Sequence, residues 1–281
     1  MKPAAFEMRC PRAVGEALEL LAANPDARVI AGGQSLVPMM NLRVATPPML
    51  IDINRVPDLG GIVREGDRIR IGAMTRQREI LDSVIVARDL PLLAKAAPHI
   101  GHVQTRARGT VGGSLAHADP SAELVLVMKT LGADLHLRSV TGDRTISAAD
   151  FFRDALTTAI EPGELLVAVS LPAAAAGTVA AFREYARRKG DFAIASAAVQ
   201  FTPAGRGVFA GVGGVGAVPH RCIRIEEAVR RGLPARAELV ALVQQEVDAI
   251  DSMNDLQASG DYRRRLGMTA LMDCLDEVLP K

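Results

Sequence analysis

The chain begins with a helical period and then breaks it. In VGEALELLAA the apolar positions Val14, Leu18, Leu21 and Ala22 recur at helical spacing, which predicts an amphipathic helix. Asn24, Pro25 and Asp26 supply a turn signal, and the apolar run that follows reads as a buried strand. That run, RVIAGGQSLV at residues 28–37, stops on two glycines and a hydroxyl. SLVPMMNLR then predicts a short helix with Ser35 near its start, and PPMLIDI a second strand, which closes a small α/β unit near Asp58.

From Gly61 the period changes to two. GIVREGDRIRIGA alternates around Glu65-Gly66-Asp67, a hairpin signal, and helices are expected at about residues 76–81 and 90–97. A second glycine stretch, RGTVGGSLAHADPSAE at residues 108–123, leads into a helix in SAELVLVMKTLGA. DLHLRS reads as a strand, VTGDRT as the turn into the next, and GELLVAVSLP as a strand ending at Pro172. The alanine- and glycine-rich PAAAAGT at residues 172–178 is the candidate boundary. Beyond it AAFREYARR, FAIASAAVQF and GVFAGVGGVG predict three antiparallel strands, and the tail from Ile223 to Leu279 reads as helices. VFAGVGGVGAV is glycine-rich but lies within a strand pattern with no helix directly after it, which argues against a nucleotide-binding turn there.

Composition narrows the chemistry. With 281 residues and 49% of them hydrophobic, the chain can bury a sizeable core. Lys plus Arg (33) balances Asp plus Glu (32), so neither nucleic acid nor an anionic membrane is a default partner. No apolar run approaches the roughly 18 residues of a membrane span, and MKPAAFEMRC has no apolar signal core, so a cytoplasmic protein is expected. Cys10, Cys222 and Cys274 are dispersed and cannot supply the four thiolates of an iron–sulfur cluster. His99 and His102 are three apart, but no cysteine or carboxylate completes a tight ligand set, so no metal site is expected.

The two glycine stretches carry the remaining signal. Without a Cβ, successive backbone N–H groups can converge on a phosphate, and a following helix adds its own unpaired N–H groups. Two such turns would grip the two phosphates of a dinucleotide. Neither stretch is G-x-G-x-x-G or G-x-x-x-x-G-K-[ST], so an ordinary Rossmann or Walker site is not supported. A strand ending in Gly-Gly also makes a simple tight turn, and the residues alone leave that reading open.

The segment FEMRCPRAVGEALELLAANPDARVIAGGQSLVPMMNLRVATPPMLIDINRVPDL resembles the opening of the medium, FAD-binding subunits of molybdenum hydroxylases. Aerobic carbon monoxide dehydrogenase and bacterial xanthine-dehydrogenase-type enzymes are model members. IGAMTRQ, QTRARGTVGGSLAHADPSAELVLVMKTLGA, FFRDALTTAIEPGELLVAVSLP and RRKGDFAIASAAV continue the resemblance in order over nearly the whole chain. It implies an α+β protein: a two-subdomain, PCMH-type (vanillyl-alcohol-oxidase-like) FAD-binding fold at residues 1–58 and 59–172. A C-terminal domain of three antiparallel strands and a helical bundle follows at residues 173–281.

The resemblance also implies a site. Val29, Ile30, Ala31, Gly32, Gly33, Gln34, Ser35 and Leu36 would form the first pyrophosphate turn, and Thr110, Gly112, Gly113 and Ser114 the second. Glu123 would lie near the adenosine ribose, Ile100 and Leu166 would pack on the cofactor, and Phe192 would cover one face of the isoalloxazine. His117 is the histidine best placed to approach the flavin. Gln34 stands where many relatives carry His, Asn41 where Lys is common, and Glu123 where Asp is usual; FAD is expected to be non-covalent.

The implied role is electron transfer. A [2Fe–2S] small subunit and a molybdenum (molybdopterin) large subunit would be the partners, in a dimer of heterotrimers. This chain would hold no metal and need no side chain as general acid or base. The alternatives are a self-contained flavin oxidase or dehydrogenase of the same fold, and a non-enzymatic nucleotide-binding module.

Overall fold

A computed structural model describes residues 1–203 and 207–280. The first helix spans Val14–Ala23 and buries Ala17, Leu18 and Leu21. Ala22 is exposed, and Ala17 takes the place expected of it, because positions 14, 17, 18 and 21 complete one helical face. The strand after the turn is shorter and less covered than its apolar run predicts. Only Arg28–Ile30 pairs, and none of the three residues is fully buried. It forms one edge of a parallel sheet ordered Glu7–Arg9, Met49–Asp52, Arg28–Ile30, and its side chains line an open cleft, with Val29 also packing on the small N-terminal core. Glu7–Arg9 was not legible in the sequence: three exposed residues, two of them charged, carry no alternation.

A five-stranded antiparallel sheet follows, ordered Ile62–Glu65, Arg68–Gly72, Leu165–Pro172, Asp134–Ser139, Gly142–Ser147. Its middle strand, Leu165–Pro172, is buried on both faces, which is why GELLVAVSLP reads as a continuous apolar run. Leu165 and Val167 join the core of the N-terminal unit, while Leu166, Val169 and Leu171 join a larger core built with the helices. Gln77–Asp82 and Pro91–Ala96 are the two helices expected here. Val103–Arg108 was not expected, since it buries none of its residues and therefore shows no apolar period.

In the C-terminal part Val179–Tyr185, Ala195–Thr202 and Gly207–Gly213 pair antiparallel as expected, and the two-residue strand His220–Arg221 extends the sheet at one edge. Phe182 and Ala198 face the larger core of the preceding unit, and Ala181, Ala197 and Val199 face the helices Ile223–Arg231, Arg236–Asp248 and Gly260–Val278. Both faces are covered, so period-two patterning gives way to continuous hydrophobicity.

Candidate cofactor site

The edge strand Arg28–Ile30, the second glycine stretch and the end of the central sheet surround one cleft of about 1240 Å³. That exceeds the roughly 300–1,000 Å³ of ordinary small-molecule pockets and suits an extended ligand. The cleft brings together all the residues singled out from the sequence: Val29 to Leu36, Ile100, Thr110, Gly112 to Ser114, His117, Glu123, Leu166 and Phe192.

The first glycine turn leaves its backbone donors open. Gly33 adopts φ of 72°, the left-handed region that favours glycine. Among the described residues, nothing accepts a hydrogen bond from the backbone N–H of Gly32, Gly33, Gln34, Ser35 or Leu36. Five consecutive N–H groups are therefore available where the strand gives way to the helix Leu36–Asn41. Ser35 makes no capping bond, which leaves its hydroxyl available as well. Gly32 is required for a different reason. An ideal Cβ there would stand 2.3 Å from Arg108 O, so it is the opposite segment, not the ligand, that demands a bare α-carbon.

The second stretch departs from the expected turn. Gly112 and Gly113 lie inside the helix Val111–His117, with Thr110 as its N-cap. Their N–H groups are already engaged: Gly112 N donates to Ala73 O at 2.8 Å, Gly113 N to Thr110 Oγ1 at 3.1 Å, and Ser114 N to Thr110 O at 3.1 Å. The expectation of a second set of available donors is not met, because a separate helix, Val111–His117, forms over the glycines ahead of the one expected in SAELVLVMKTLGA, and Ala73 and Thr110 take the N–H groups. What this stretch presents is a side-chain-free surface at exposed Gly113, together with Ser114. Gly112 must lack a side chain because an ideal Cβ would meet Ala73 Cβ at 2.5 Å and Ala73 O at 2.9 Å.

The walls are apolar where Ile100 and Leu166 contribute, both buried, and Phe192 stands at the margin, 59% exposed. Glu123 is the first residue of the helix Glu123–Leu131. Burial raises its carboxyl to about 7; its own backbone N–H offsets part of that rise, and the carboxylate of Glu184 adds to it. His117 lines the cleft from the last turn of the second glycine helix. His99 and His102 diverge: His99 Nδ1 lies 3.2 Å from Glu184 Oε1, whereas the His102 ring packs on Gly190. Among the described residues no three ligating side chains gather.

Gln77 is a further polar residue of the cleft that its sequence context does not mark. It opens the helix Gln77–Asp82, lines the cleft beside Gly109, and its Oε1 is buried without a hydrogen-bond partner among the described residues. A polar residue at a helix start has no sequence signature that separates this role from an ordinary surface one. The fan of unpaired N–H donors, the apolar wall and a titrating carboxyl at one place in a long cleft together fit a dinucleotide carrying a flavin.

Comparison with known proteins agrees. Residues 4–174 match the model of the FAD-binding domain in molybdopterin dehydrogenase, and residues 180–278 that of the CO dehydrogenase flavoprotein C-terminal domain. The chain is 38% identical to the 6-hydroxypseudooxynicotine dehydrogenase complex subunit alpha of Paenarthrobacter nicotinovorans, over 99% of this chain and 96% of that one. It is 39% identical to the carbon monoxide dehydrogenase medium chain of Hydrogenophaga pseudoflava, over 94% of this chain and 93% of that one. Among solved structures, a carbon monoxide dehydrogenase from Hydrogenophaga pseudoflava that lacks the Mo-pyranopterin moiety superposes with a TM-score of 0.95. The sequences there are 36% identical, and the match covers 99% of this chain and 98% of that chain. Among the described residues no helix is long and apolar enough to cross a membrane. The chain belongs to the family of FAD-binding medium subunits of molybdenum hydroxylases, and is an oxidoreductase subunit.

Proposed function

We propose that this chain is the electron-transfer subunit of a cytoplasmic molybdenum hydroxylase complex, taking electrons from [2Fe–2S] centres in a partner subunit and passing them to an external acceptor. The observation that carries the reading is the cleft at the first glycine turn, whose five unpaired N–H groups offer an anion site in the unit that matches the FAD-binding family. Bound FAD would supply the conversion between paired and single electrons. The protein's own part is to bind, orient and exclude water.

In this reading the N–H groups of Gly32 to Leu36 hold the phosphates without a covalent link, and Ile100 and Leu166 keep water from the apolar side. A Glu123 carboxyl that titrates near neutrality can both donate to and accept from vicinal ribose hydroxyls. Phe192, already exposed at the margin, covers the outer face of the ligand. The division into 1–58, 59–172 and 173–281 is supported by the three larger sheets, one in each part. The partners are an iron–sulfur small subunit and a molybdenum large subunit, as a dimer of heterotrimers; relatives are named as subunits and medium chains of such dehydrogenases.

The test is anaerobic. The FAD-loaded chain is mixed with carbon monoxide, glyceraldehyde and nicotine in turn, alone and as the complex that co-purifies with it, and flavin bleaching is followed in the visible. Bleaching only in the complex is expected. Bleaching of the isolated chain by any of these compounds would instead identify a self-contained oxidoreductase.

A further inference from the structure

The two glycine segments come from different units of the chain, yet Gly32 rests directly on Arg108 and Gly109. Among the described residues no backbone hydrogen bond crosses between residues 31–36 and 108–114. A side-chain relay crosses instead. Asn54 Nδ2 donates to Ala31 O at 2.8 Å, the carbonyl immediately before the first glycine turn. Asn54 Oδ1 accepts from Arg76 Nη2 at 2.7 Å, and Arg76 Nη1 donates to Arg108 O, the carbonyl on which Gly32 rests.

Both residues of this relay are themselves anchored. Asn54 N and Nδ2 both donate to Asp52 Oδ1, at 2.9 and 2.5 Å. Arg76 N donates to Glu79 Oε2 at 2.6 Å, and Arg76 pairs with Thr110 in a β-bridge, so its backbone belongs to the second segment. The relay therefore runs from one wall of the cleft to the other through Asn54 and Arg76. Neither Asn54 nor Arg76 lines the cleft.

We infer that Asn54 and Arg76 are positioning residues for the cofactor: they hold the donor fan of the first turn in register with the helix of the second segment, acting through Ala31 and Arg108. The inference rests on the flavin reading above. A planar guanidinium serves two acceptors in fixed directions, which a single ammonium cannot do. Without the relay, Gly32 touches Arg108 through van der Waals contact alone, and the five N–H groups no longer point at one fixed place relative to the opposite wall. Affinity falls because their alignment then has to be established at the moment of binding.

Apo-protein of the wild type, Arg76→Met, Arg76→Lys, Asn54→Ala and the Asn54→Ala/Arg76→Met double variant is titrated with FAD by flavin fluorescence, and each is melted without flavin. The expected result is a rise in Kd of about tenfold in Arg76→Met and in Asn54→Ala, the loss anticipated for one charge-assisted hydrogen bond. The double variant should be no worse than the worse single, since the two residues form one relay. Arg76→Lys should recover only part of the affinity, and apo melting temperatures should stay within about 2 °C of the wild type.

Kd values unchanged in both single variants, or fully additive effects in the double, would overturn the relay. If Arg76→Met does not fold, Asn54→Asp decides alone. It keeps the acceptor for Arg76 and removes the donor to Ala31, so an unchanged Kd there overturns the inference. A wild-type chain that binds no FAD would overturn the flavin reading itself, which keeps the two failures apart.

Discussion

Residues 32–35 and 112–114 both carry paired glycines and a serine, and the fold uses them in opposite ways. In the first, the backbone N–H groups are left without partners and Gly33 takes a left-handed φ of 72°. In the second, the glycines sit in a helix whose first turn is already hydrogen-bonded to Ala73 and Thr110. The first segment keeps free donors facing the cleft, although Gly32 is bare to admit Arg108, and in the second the missing side chain of Gly112 lets chain segments touch. A glycine pair is thus a statement about missing Cβ atoms; whether the space goes to a ligand or to a neighbouring strand depends on what the fold brings there.

The largest effect should come from the packed segment. Gly112→Val drives side-chain atoms into Ala73, whose Cα and O would lie 2.9 Å from the new Cβ, and should destabilise the apo-protein by about 3 kcal/mol or more. Denaturant unfolding checks this, and a stability within error of wild type would show that Gly112 is not packed against Ala73.

A pH effect should fall on the same side of the cleft. Burial, with Glu184 adding to it, raises Glu123 from 4.5 to about 7, so between those values the folded chain holds a proton that the unfolded chain releases. That contribution is fully present below pH 4.5 and is lost as pH rises through about 7. Urea unfolding at pH 5 and pH 8 should show the wild type losing on the order of 1–3 kcal/mol more than Glu123→Gln. Equal pH slopes in the two proteins would show that Glu123 titrates normally. The first turn has no such dependence, because backbone N–H groups do not titrate.

Gly33→Ala tests the binding segment. Holding alanine at φ of 72° costs about 1–2 kcal/mol, and the added carbon meets Val37 Cγ2 at 3.1 Å. The loop should relax by turning its N–H groups, so FAD affinity should fall more than apo stability does. A loss of stability with unaltered FAD affinity would mean that this turn packs and does not bind.

Thr110→Val should have the smallest effect. It removes the oxygen that accepts from Gly113 N and should cost about 1 kcal/mol, as for other lost helix caps. Since it also releases that N–H toward the cleft, FAD affinity should change little. A large loss of affinity would show that the second segment binds through Thr110 itself.

Much of the architecture follows from local pattern. The helix Val14–Ala23 and the hairpin Ile62–Glu65/Arg68–Gly72 each satisfy a period within a few neighbouring residues, whereas the long C-terminal strands, covered on both faces, are legible as continuous apolar runs. The glycine pairs marked both walls of the cleft because a residue type that lacks a Cβ is visible in the sequence wherever it stands. The polar edge strand Glu7–Arg9 and the unburied helix Val103–Arg108 follow no such period, and both emerged only with the fold.

Hydrogen-bond satisfaction is not local. Nothing within residues 108–123 says that Ala73 O and Thr110 Oγ1 will take the N–H groups of Gly112 and Gly113, or that no acceptor reaches residues 32–36. Ile30 looks like core until the strand proves to be an edge beside open space. Asn54 and Arg76 stand 22 residues apart and meet only because two separate sheets place their ends side by side. Helices, strands and bare-backbone turns are readable along the chain, because those preferences are set by each residue and its near neighbours. Which donors remain unpaired is settled in the folded chain alone, since that depends on which distant acceptor lies within reach of each N–H.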